Sequence, residues 1–243
     1  MPYKFLVFIA SLFALSGCSY YIAPGAKADL DVFAPANIQA GFAVKATAPF
    51  PASIAAIRVQ APSYTNHNLR SNGGNHGEGR YTVITSREVE EPAQFDRIAK
   101  LAQVAGILNI NRMLLPQKLQ SDVEIREAAS RLQADLVLIY TFDTTFYEND
   151  FSRPLTMISL GFAPTRKVFA NTTASALLMD TRTGYVYSAY EITTKAETRA
   201  SAWGSAEAAD ESRRQTEREA FAKLVDDFVN SWPKVLARHE KRG

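Results

Sequence analysis

The most reactive side chain belongs to Cys18, the only cysteine in the 243 residues of the chain. It follows the apolar run FLVFIASLFAL (5–15) and two small residues, Ser16 and Gly17. A basic residue near the amino terminus, a short apolar segment and small residues before the cleavage site predict a secretory signal peptide over residues 1–17. Secreted chains seldom leave an odd thiol unpaired, so we expect Cys18 to be modified. A buried small hydrophobe, or the cysteine of an uncleaved signal anchor, is the alternative.

Two histidines and one glutamate offer the chemistry of a divalent metal site. His67, His76 and Glu78 share the Asn/Gly-rich segment YTNHNLRSNGGNHGEG. Their spacing matches no known zinc arrangement, and no partner that would orient them can be argued. We therefore expect a solvated polar loop, no metal and no other cofactor. The role of residues 61–79 stays open.

The glycines of GGNHGEG also suggest a phosphate cradle. A predicted strand follows them, whereas such a cradle needs the amino terminus of a helix. The sequence therefore does not support a phosphate-binding loop of that kind.

Several acidic residues could by their type form the paired carboxylates of a glycosidase. The candidates are Asp135, Asp143, Glu148, Asp150 and Asp180. However, Asp135 opens a predicted strand and Asp180 starts a predicted turn, where aspartate commonly serves the backbone. The sequence also contains no Gly-x-Ser-x-Gly and no His-Glu-x-x-His motif. No coherent set of acid, base and nucleophile emerges, so we predict no catalytic residues and no enzymatic activity.

The residues Leu15-Ser16-Gly17-Cys18 resemble the lipobox of bacterial lipoproteins. The resemblance implies a diacylglycerol thioether on Cys18, cleavage after Gly17 and acylation of the new amine. Several acyl chains make a lasting anchor, whereas a single chain binds only marginally. Because Ser19 and not aspartate follows the cysteine, the resemblance further implies sorting to the periplasmic face of the outer membrane.

Composition limits the remaining functions. Basic and acidic residues number 27 and 25, a net charge of +2, so there is no electrostatic case for nucleic-acid binding. Apolar residues make up 47% of the chain, enough for one good core. Residues 18–50 are rich in Ala and Pro and predict a tether, part of which packs on the domain through residues such as Ile38 and Phe42. Residues 51–243 predict an α/β periplasmic domain ending in a long helix.

Periodicity predicts the elements of that domain. Strands are expected at 53–60, 80–89, 107–115, 134–142, 168–179 and 185–198, and a helix at 93–105. Ser121 and Glu124 predict a capping box and a second helix, and Gly184 suits the left-handed position of a hairpin turn. The charged stretch DESRRQTERE of the last helix predicts an exposed face with ion pairs. Pro233 is expected to kink or end that helix.

The order of IREAASRLQADLVLIYTFDT and ASALLMDTRTGYVYSA resembles a periplasmic fold shared by three families. These are curli-secretion (CsgG-type) lipoproteins, activators of penicillin-binding proteins (LpoB-type) and the amino-terminal domain of TolB. The chain is also similar to a broader set of uncharacterised bacterial lipoproteins. The resemblance implies a mixed sheet with covering helices, and it bears on fold more than on function.

These observations predict a membrane-anchored, non-catalytic accessory or interaction module of the cell envelope. Its expected partners are the membrane, through the lipid, and an envelope protein, while the oligomeric state stays open. The first alternative is a subunit of an outer-membrane secretion channel. For that role only the uncharged run PLTMISLGFAPT (154–165) is a candidate membrane hairpin. The second alternative, a peptidoglycan-active enzyme, needs the carboxylates to act together.

Overall fold

The computed structural model describes residues 27, 38–150, 166–200 and 205–240. The signal peptide, Cys18, most of the tether and the uncharged run 154–165 lie outside the described residues. Nine strands and five helices are described. The strands are β1 (Ala52–Gln60), β2 (Asn75–His76), β3 (Glu78–Gly79), β4 (Thr82–Ile84), β5 (Val104–Asn109), β6 (Lys118–Leu119), β7 (Leu136–Asp150), β8 (Arg166–Asp180) and β9 (Val186–Ala200). The helices are α1 (Ile38–Ala43), α2 (His67–Asn72), α3 (Pro92–Ala99), α4 (Asp122–Arg131) and α5 (Ser205–Glu240), with a 3₁₀ turn at Arg112–Leu114.

Seven of the strands form one mixed sheet. Its order is β2-β4-β1-β7-β8-β9, and β5 also pairs with β1. β1 is parallel to both β5 and β7, whereas β4, β8 and β9 join by antiparallel pairing. β3 and β6 form a separate two-stranded sheet. The predicted mixed α/β fold, with one domain and a covering carboxy-terminal helix, is confirmed.

Helices cover both faces of the central strands. Alternate residues of β1 and β7 enter two different apolar clusters, because successive side chains of a strand point to opposite faces. Ile54, Leu136 and Leu138 pack with α3 and α5. Ile57 and Ile139 pack with α4 on the other face. β7 is therefore the doubly covered central strand that its continuous apolar run predicts.

The helix α4 begins as its sequence predicts. The Ser121 side chain accepts a hydrogen bond from the backbone N–H of Val123, and the Glu124 carboxylate accepts one from the backbone N–H of Ser121. Such a cap stabilises a helix by about 1 kcal/mol. Burial alone would raise the pKa of Glu124, but the hydrogen bonds from its own backbone N–H, Ser121 and Gln120 lower it.

The turn between β8 and β9 is also as predicted. Gly184 has φ = 75°, the left-handed region that favours glycine. Asp180 accepts hydrogen bonds from the backbone N–H groups of Arg182 and Thr183, so its carboxylate holds the turn. The same carboxylate accepts the N–H groups of Thr47 and Ala48, each at 2.7 Å, which fixes the chain just before β1.

Several predicted boundaries are wrong. The strand expected at 80–89 spans only Thr82–Ile84. The helix expected at 93–105 ends at Ala99, and Gln103 at φ = 62° reverses the chain into β5, which ends at Asn109 before the 3₁₀ turn. The polar segment 64–79 is more ordered than predicted, because Asn66 caps α2 and the chain then adds β2 and β3.

The last helix is long, and Pro233 lies inside it without ending it. Its apolar stripe packs as predicted, with Phe221, Phe228 and Trp232 each at most 1% exposed. Within residues 44–50, Ala48 is buried and Phe50 contacts the rings of Trp232 and His239 near the end of α5. Phe42, expected to pack on the domain, is 88% exposed. No helix in the described ranges is long and apolar enough to cross a membrane.

Candidate functional site

A cleft of about 540 Å³ opens where the edge of β1 passes from one neighbouring strand to another. β5 pairs with β1 as far as Ala56, and β4 pairs with it from Arg58 onwards. β5 runs parallel to β1 and β4 runs antiparallel, so the carboxyl ends of both strands point at this gap. The last residue of each strand and the three residues after it, 84–87 and 109–112, form two sides of the cleft.

A pair of glycines forms a third side. The carbonyl of Gly74 accepts hydrogen bonds from both the backbone N–H and the hydroxyl of Thr85, at 2.7 and 3.1 Å. Gly73 and Gly74 have φ values of 69° and 118°. A Cβ atom on Gly74 would lie 2.7 Å from the Ser86 hydroxyl oxygen. Only glycine therefore lets this backbone approach Ser86 so closely.

The lining carries positive charge and amide groups. Three arginines, Arg58, Arg87 and Arg112, line the cleft, and no carboxylate is among the described residues that do so. The lining also includes three asparagines, Asn72, Asn109 and Asn111, together with Thr85, Ser86 and Tyr140. The cleft therefore has a polar lining of net positive charge, which suits an anionic partner.

Arg58 is buried beneath the cleft, with 2% of its side chain exposed. Its Nη2 donates to the Tyr64 hydroxyl at 2.8 Å, and its guanidinium pairs with Glu90 and Glu217 at 3.5 and 3.4 Å. The guanidinium carbon also lies 4.5 Å from the centre of the Phe142 ring. Within the described residues, its Nε has no hydrogen-bond partner.

A second buried arginine extends this network into α5. Arg213 donates to Asp210, Glu217 and Glu88 at 2.8 to 3.0 Å. The side chains of Arg213 and Glu217 are 1% and 0% exposed. Glu217 thus joins Arg58 on β1 to Arg213 on α5, and the network ties the helix to the sheet under the cleft.

Hydroxyl groups satisfy the other side of Glu217. Its Oε1 accepts a hydrogen bond from Thr144 at 3.2 Å. The hydroxyls of Thr144 and Thr172 lie 2.9 Å apart, and Thr172 donates to Thr216 at 2.7 Å. Because buried charges are costly unless fully hydrogen-bonded, this chain explains how Glu217 is tolerated in the core.

The pKa shifts of Arg58 and Tyr140 fix the protonation states of these two residues. Burial alone would lower the pKa of Arg58, but the surrounding groups, above all Tyr64, Glu217 and Glu90, raise it. Burial and the neighbouring Glu90 raise the pKa of Tyr140 well above its usual value. Arg58 therefore stays charged, and the Tyr140 hydroxyl stays protonated and donates to Glu90 at 3.3 Å.

None of the sequence-predicted candidate metal ligands and carboxylates whose side chains the structure describes lines this cleft. His76 lies 3.3 Å from the Pro116 carbonyl, and Glu78 accepts from Gln117. No group of three potential metal ligands occurs in the part of the chain that the structure describes.

Of the five carboxylates that suggested a catalytic pair, the side chains of Glu148 and Asp150 lie outside what the structure describes, and two of the other three hold backbone. Asp135 accepts from the backbone N–H and hydroxyl of Ser53, each at 3.0 Å, and Asp180 holds its turn. Asp143 lies half-buried on β7. Cys18 lies outside the described residues, so its modification stays a prediction.

Sequence reasoning missed the network. The expectation that DESRRQTERE forms an exposed, ion-paired face is wrong for its central residues, because Arg213 and Glu217 are buried. The signal in the sequence was Arg58 in the otherwise apolar strand ASIAAIRVQ. A lone arginine on a buried strand needs carboxylate partners, and the last helix was the segment richest in them.

Comparison with known proteins identifies no family. No protein-family model matches the chain, and no curated protein matches it significantly. One similar solved structure, from Helicobacter pylori, is described as a neuraminyllactose-binding hemagglutinin homolog. It shares 12% identity over 81% of this chain and 91% of that one, with a TM-score of 0.36. Another, a Xanthomonas campestris protein of the DUF330 family, shares 13% identity over 79% and 90%, with a TM-score of 0.33.

Proposed function

We propose that the protein is a lipid-anchored, non-catalytic accessory protein on the periplasmic face of a bacterial outer membrane. Cys18 carries the lipid, residues 19–50 act as the tether, and the α/β domain presents a surface to an envelope protein. The observation that supports this function most directly is the separation of two ends of the domain. The chain from the tether reaches one end, and the longest strands extend to the other.

The tether side is defined by contacts just before β1. Thr47 and Ala48 donate to Asp180 at the β8–β9 turn. Phe50 lies 4.7 Å, centre to centre, from the ring of His239 near the end of α5. A lipid on Cys18 would therefore pull on the end of the domain that holds this turn and the carboxyl end of α5.

The opposite end is built by β7, β8 and β9, each 15 residues long. β7 pairs with β1 only as far as Tyr140, and it continues to Asp150 in register with Arg166 of β8. Ten further residues at about 3.4 Å each extend the strands roughly 30 Å past that last β1 pair. This extension, pointing away from the tether, is the surface that we propose for a partner.

The use of the carboxylates supports a non-catalytic role. Asp135 and Asp180 are committed to backbone hydrogen bonds, and Glu90 and Glu217 are committed to buried arginines. A hydrolase of the peptidoglycan type would need two carboxylates facing one substrate cleft. The cleft at the β1 edge is lined by arginines instead of carboxylates among its described residues.

The lipid anchor is tested by the change Cys18→Ala. We expect the wild-type chain to incorporate labelled palmitate and to sediment with membranes, and the variant to lose both properties. Ser19→Ala keeps the thiol and should keep the label. Persistent labelling or unchanged membrane association of Cys18→Ala would overturn the anchor.

The partner surface is tested by a photo-crosslinking residue placed in intact cells. Thr145 and Lys195 are exposed and lie in one register row, on either side of Asn171. Lys234 is exposed near the tether end and serves as the control position. We expect envelope proteins to crosslink at Thr145 and Lys195 but not at Lys234. Equal yields at all three positions would contradict the proposal, and a large detergent-stable ring of this chain alone would support a channel subunit instead.

A further inference from the structure

We propose that the cleft at the β1 edge binds a small molecule that carries a phosphate monoester, held between Arg87 and Arg112. This site does not depend on the lipid anchor or on the partner surface. The inference rests on the two arginines without ion-pair partners, on the polar lining and on the contacts that hold the cleft in shape.

Charge compensation differs among the three arginines that line the cleft. Arg58 has Glu90 and Glu217 as ion-pair partners. Within the residues that the structure describes, Arg87 and Arg112 have no ion-pair partner, and the contact shown for Arg87 is the Phe95 ring at 4.6 Å. Two arginines without carboxylate partners in the lining of one cleft favour an anionic ligand, because each can form a charge-assisted hydrogen bond to it. A phosphate monoester carries nearly two negative charges at neutral pH and matches this pair.

Uncharged polar residues complete the lining. Asn72, Asn109 and Ser86 line the same cleft. Phosphate has several strong acceptor oxygens, and charge-assisted hydrogen bonds to arginine are among the stronger ones in proteins. The volume of about 540 Å³ exceeds what a bare phosphate fills and suits a small organic ligand. The phosphate therefore belongs to a larger molecule, such as a phosphorylated polyol or a lipid headgroup.

The cleft is held in shape by contacts within the chain itself. The positive φ values of Gly73 and Gly74 and the two bonds from Thr85 fix one wall. The buried ion pairs with Glu90 and Glu217 hold Arg58 in place beneath the cleft. A preformed site also binds at a lower entropic cost.

Calorimetry on the purified full chain tests the site, with glycerol 3-phosphate as the probe and glycerol as its uncharged control. We expect glycerol 3-phosphate to bind and glycerol not to bind. Arg87→Gln and Arg112→Gln should each weaken binding about tenfold or more, since each removes a charge-assisted bond. Arg238→Gln changes an exposed arginine at the end of α5 and should leave the affinity unchanged.

Thermal melts of the same variants separate lost binding from lost folding, because Arg87 and Arg112 are exposed and their loss should leave the midpoint within a few degrees. Vesicles of phosphatidylcholine with and without phosphatidic acid distinguish the two ligand sources. Binding to the dissolved probe alone assigns a free phosphorylated metabolite, and binding to phosphatidic acid vesicles that also requires Arg87 and Arg112 assigns a headgroup. No binding to either, or binding that survives the double variant, would overturn the proposal. The Cys18→Ala variant should bind glycerol 3-phosphate as the wild type does, so failure of the lipid-anchor test and failure of this test are distinguishable.

Discussion

Arg213 and Glu217 lie one turn apart on α5, with Nη1 and Oε2 3.0 Å apart and both side chains at most 1% exposed. On a surface helix such a pair would contribute about 0.3–0.5 kcal/mol. Here the pair is buried, and Glu217 also contacts Arg58 on β1. Removing the carboxylate would leave two buried guanidinium groups without their shared partner. The penalty for those unpaired buried charges is larger than the net stabilisation that the ion pair itself provides.

Glu217→Ala is therefore expected to destabilise the domain by about 3–5 kcal/mol, the usual cost of breaking a buried ion pair by removing one partner. Urea unfolding followed by circular dichroism measures this change as a lower midpoint. Glu219→Ala is the matched control, because Glu219 is 44% exposed and its ion pair is with the half-exposed Lys223. Its expected effect is within about 0.5 kcal/mol. Similar midpoints for the two variants would contradict the structural role of Glu217.

The helix α5 shows what sequence patterns could and could not predict. Its apolar stripe is periodic, and a periodic stripe reports burial from local information alone. Arg213 pairs with Glu88, and Glu217 pairs with Arg58, so both helix residues have partners that are distant in sequence. No short window of the sequence contains both members of either pair, so local pattern alone predicts an exposed face for the charged stretch.

The cleft was unpredictable for a similar reason. Its sides come from the chain after β4, after β5 and around Gly73, and register decides that these three segments meet at one gap on β1. By contrast, the Ser121 cap and the Asp180–Gly184 turn were predictable, because the residues that build each of them are neighbours in sequence. Caps and turns built from neighbouring residues could therefore be predicted from the sequence, whereas contacts between distant segments could not.

Asp180 makes the stability of the domain sensitive to acid. Burial would raise the pKa of its carboxyl group, but four backbone N–H donors, those of Thr47, Thr183, Arg182 and Ala48, lower it below the ordinary value of 3.8. Its contribution to stability is therefore fully present above that ordinary value and is lost as the pH falls through the lower, folded-state pKa. Asp180→Asn is expected to cost about 3 kcal/mol at pH 7, because an amide NH₂ would face N–H donors.

The pH dependence distinguishes this electrostatic role from simple packing. Urea midpoints between pH 7 and pH 2 should show the gap between the wild type and Asp180→Asn narrowing below about pH 4. Asp96→Asn changes an exposed carboxylate on α3 and should follow the wild-type profile. A gap that stays constant down to pH 2 would mean that the charge of Asp180 is not what stabilises the turn.

Gly74→Ala should distort the wall of the cleft. The new Cβ would lie 2.7 Å from the Ser86 hydroxyl oxygen at a backbone φ of 118°, which L-residues rarely adopt. We expect a loss of about 1–3 kcal/mol in the free energy of unfolding. Gly106→Ala is the matched control, since its Cβ would meet nothing within 4 Å and its φ is not positive. If Gly74→Ala and Gly106→Ala had the same free energy of unfolding, position 74 would tolerate a side chain and would not require glycine.

Trp232 links α5 to the turn before β5, and its substitution tests that link. Its indole N–H donates to the Ala102 carbonyl at 2.7 Å, and its ring stacks on Phe228 with centroids 5.5 Å apart. Trp232→Phe keeps an aromatic ring but loses this donor and some volume, so we expect a loss of about 1–3 kcal/mol in urea unfolding. Met113→Ala removes an apolar side chain that is 88% exposed and should cost less than about 0.5 kcal/mol. If the two losses were equal, the Ala102 contact would not hold α5 against the sheet.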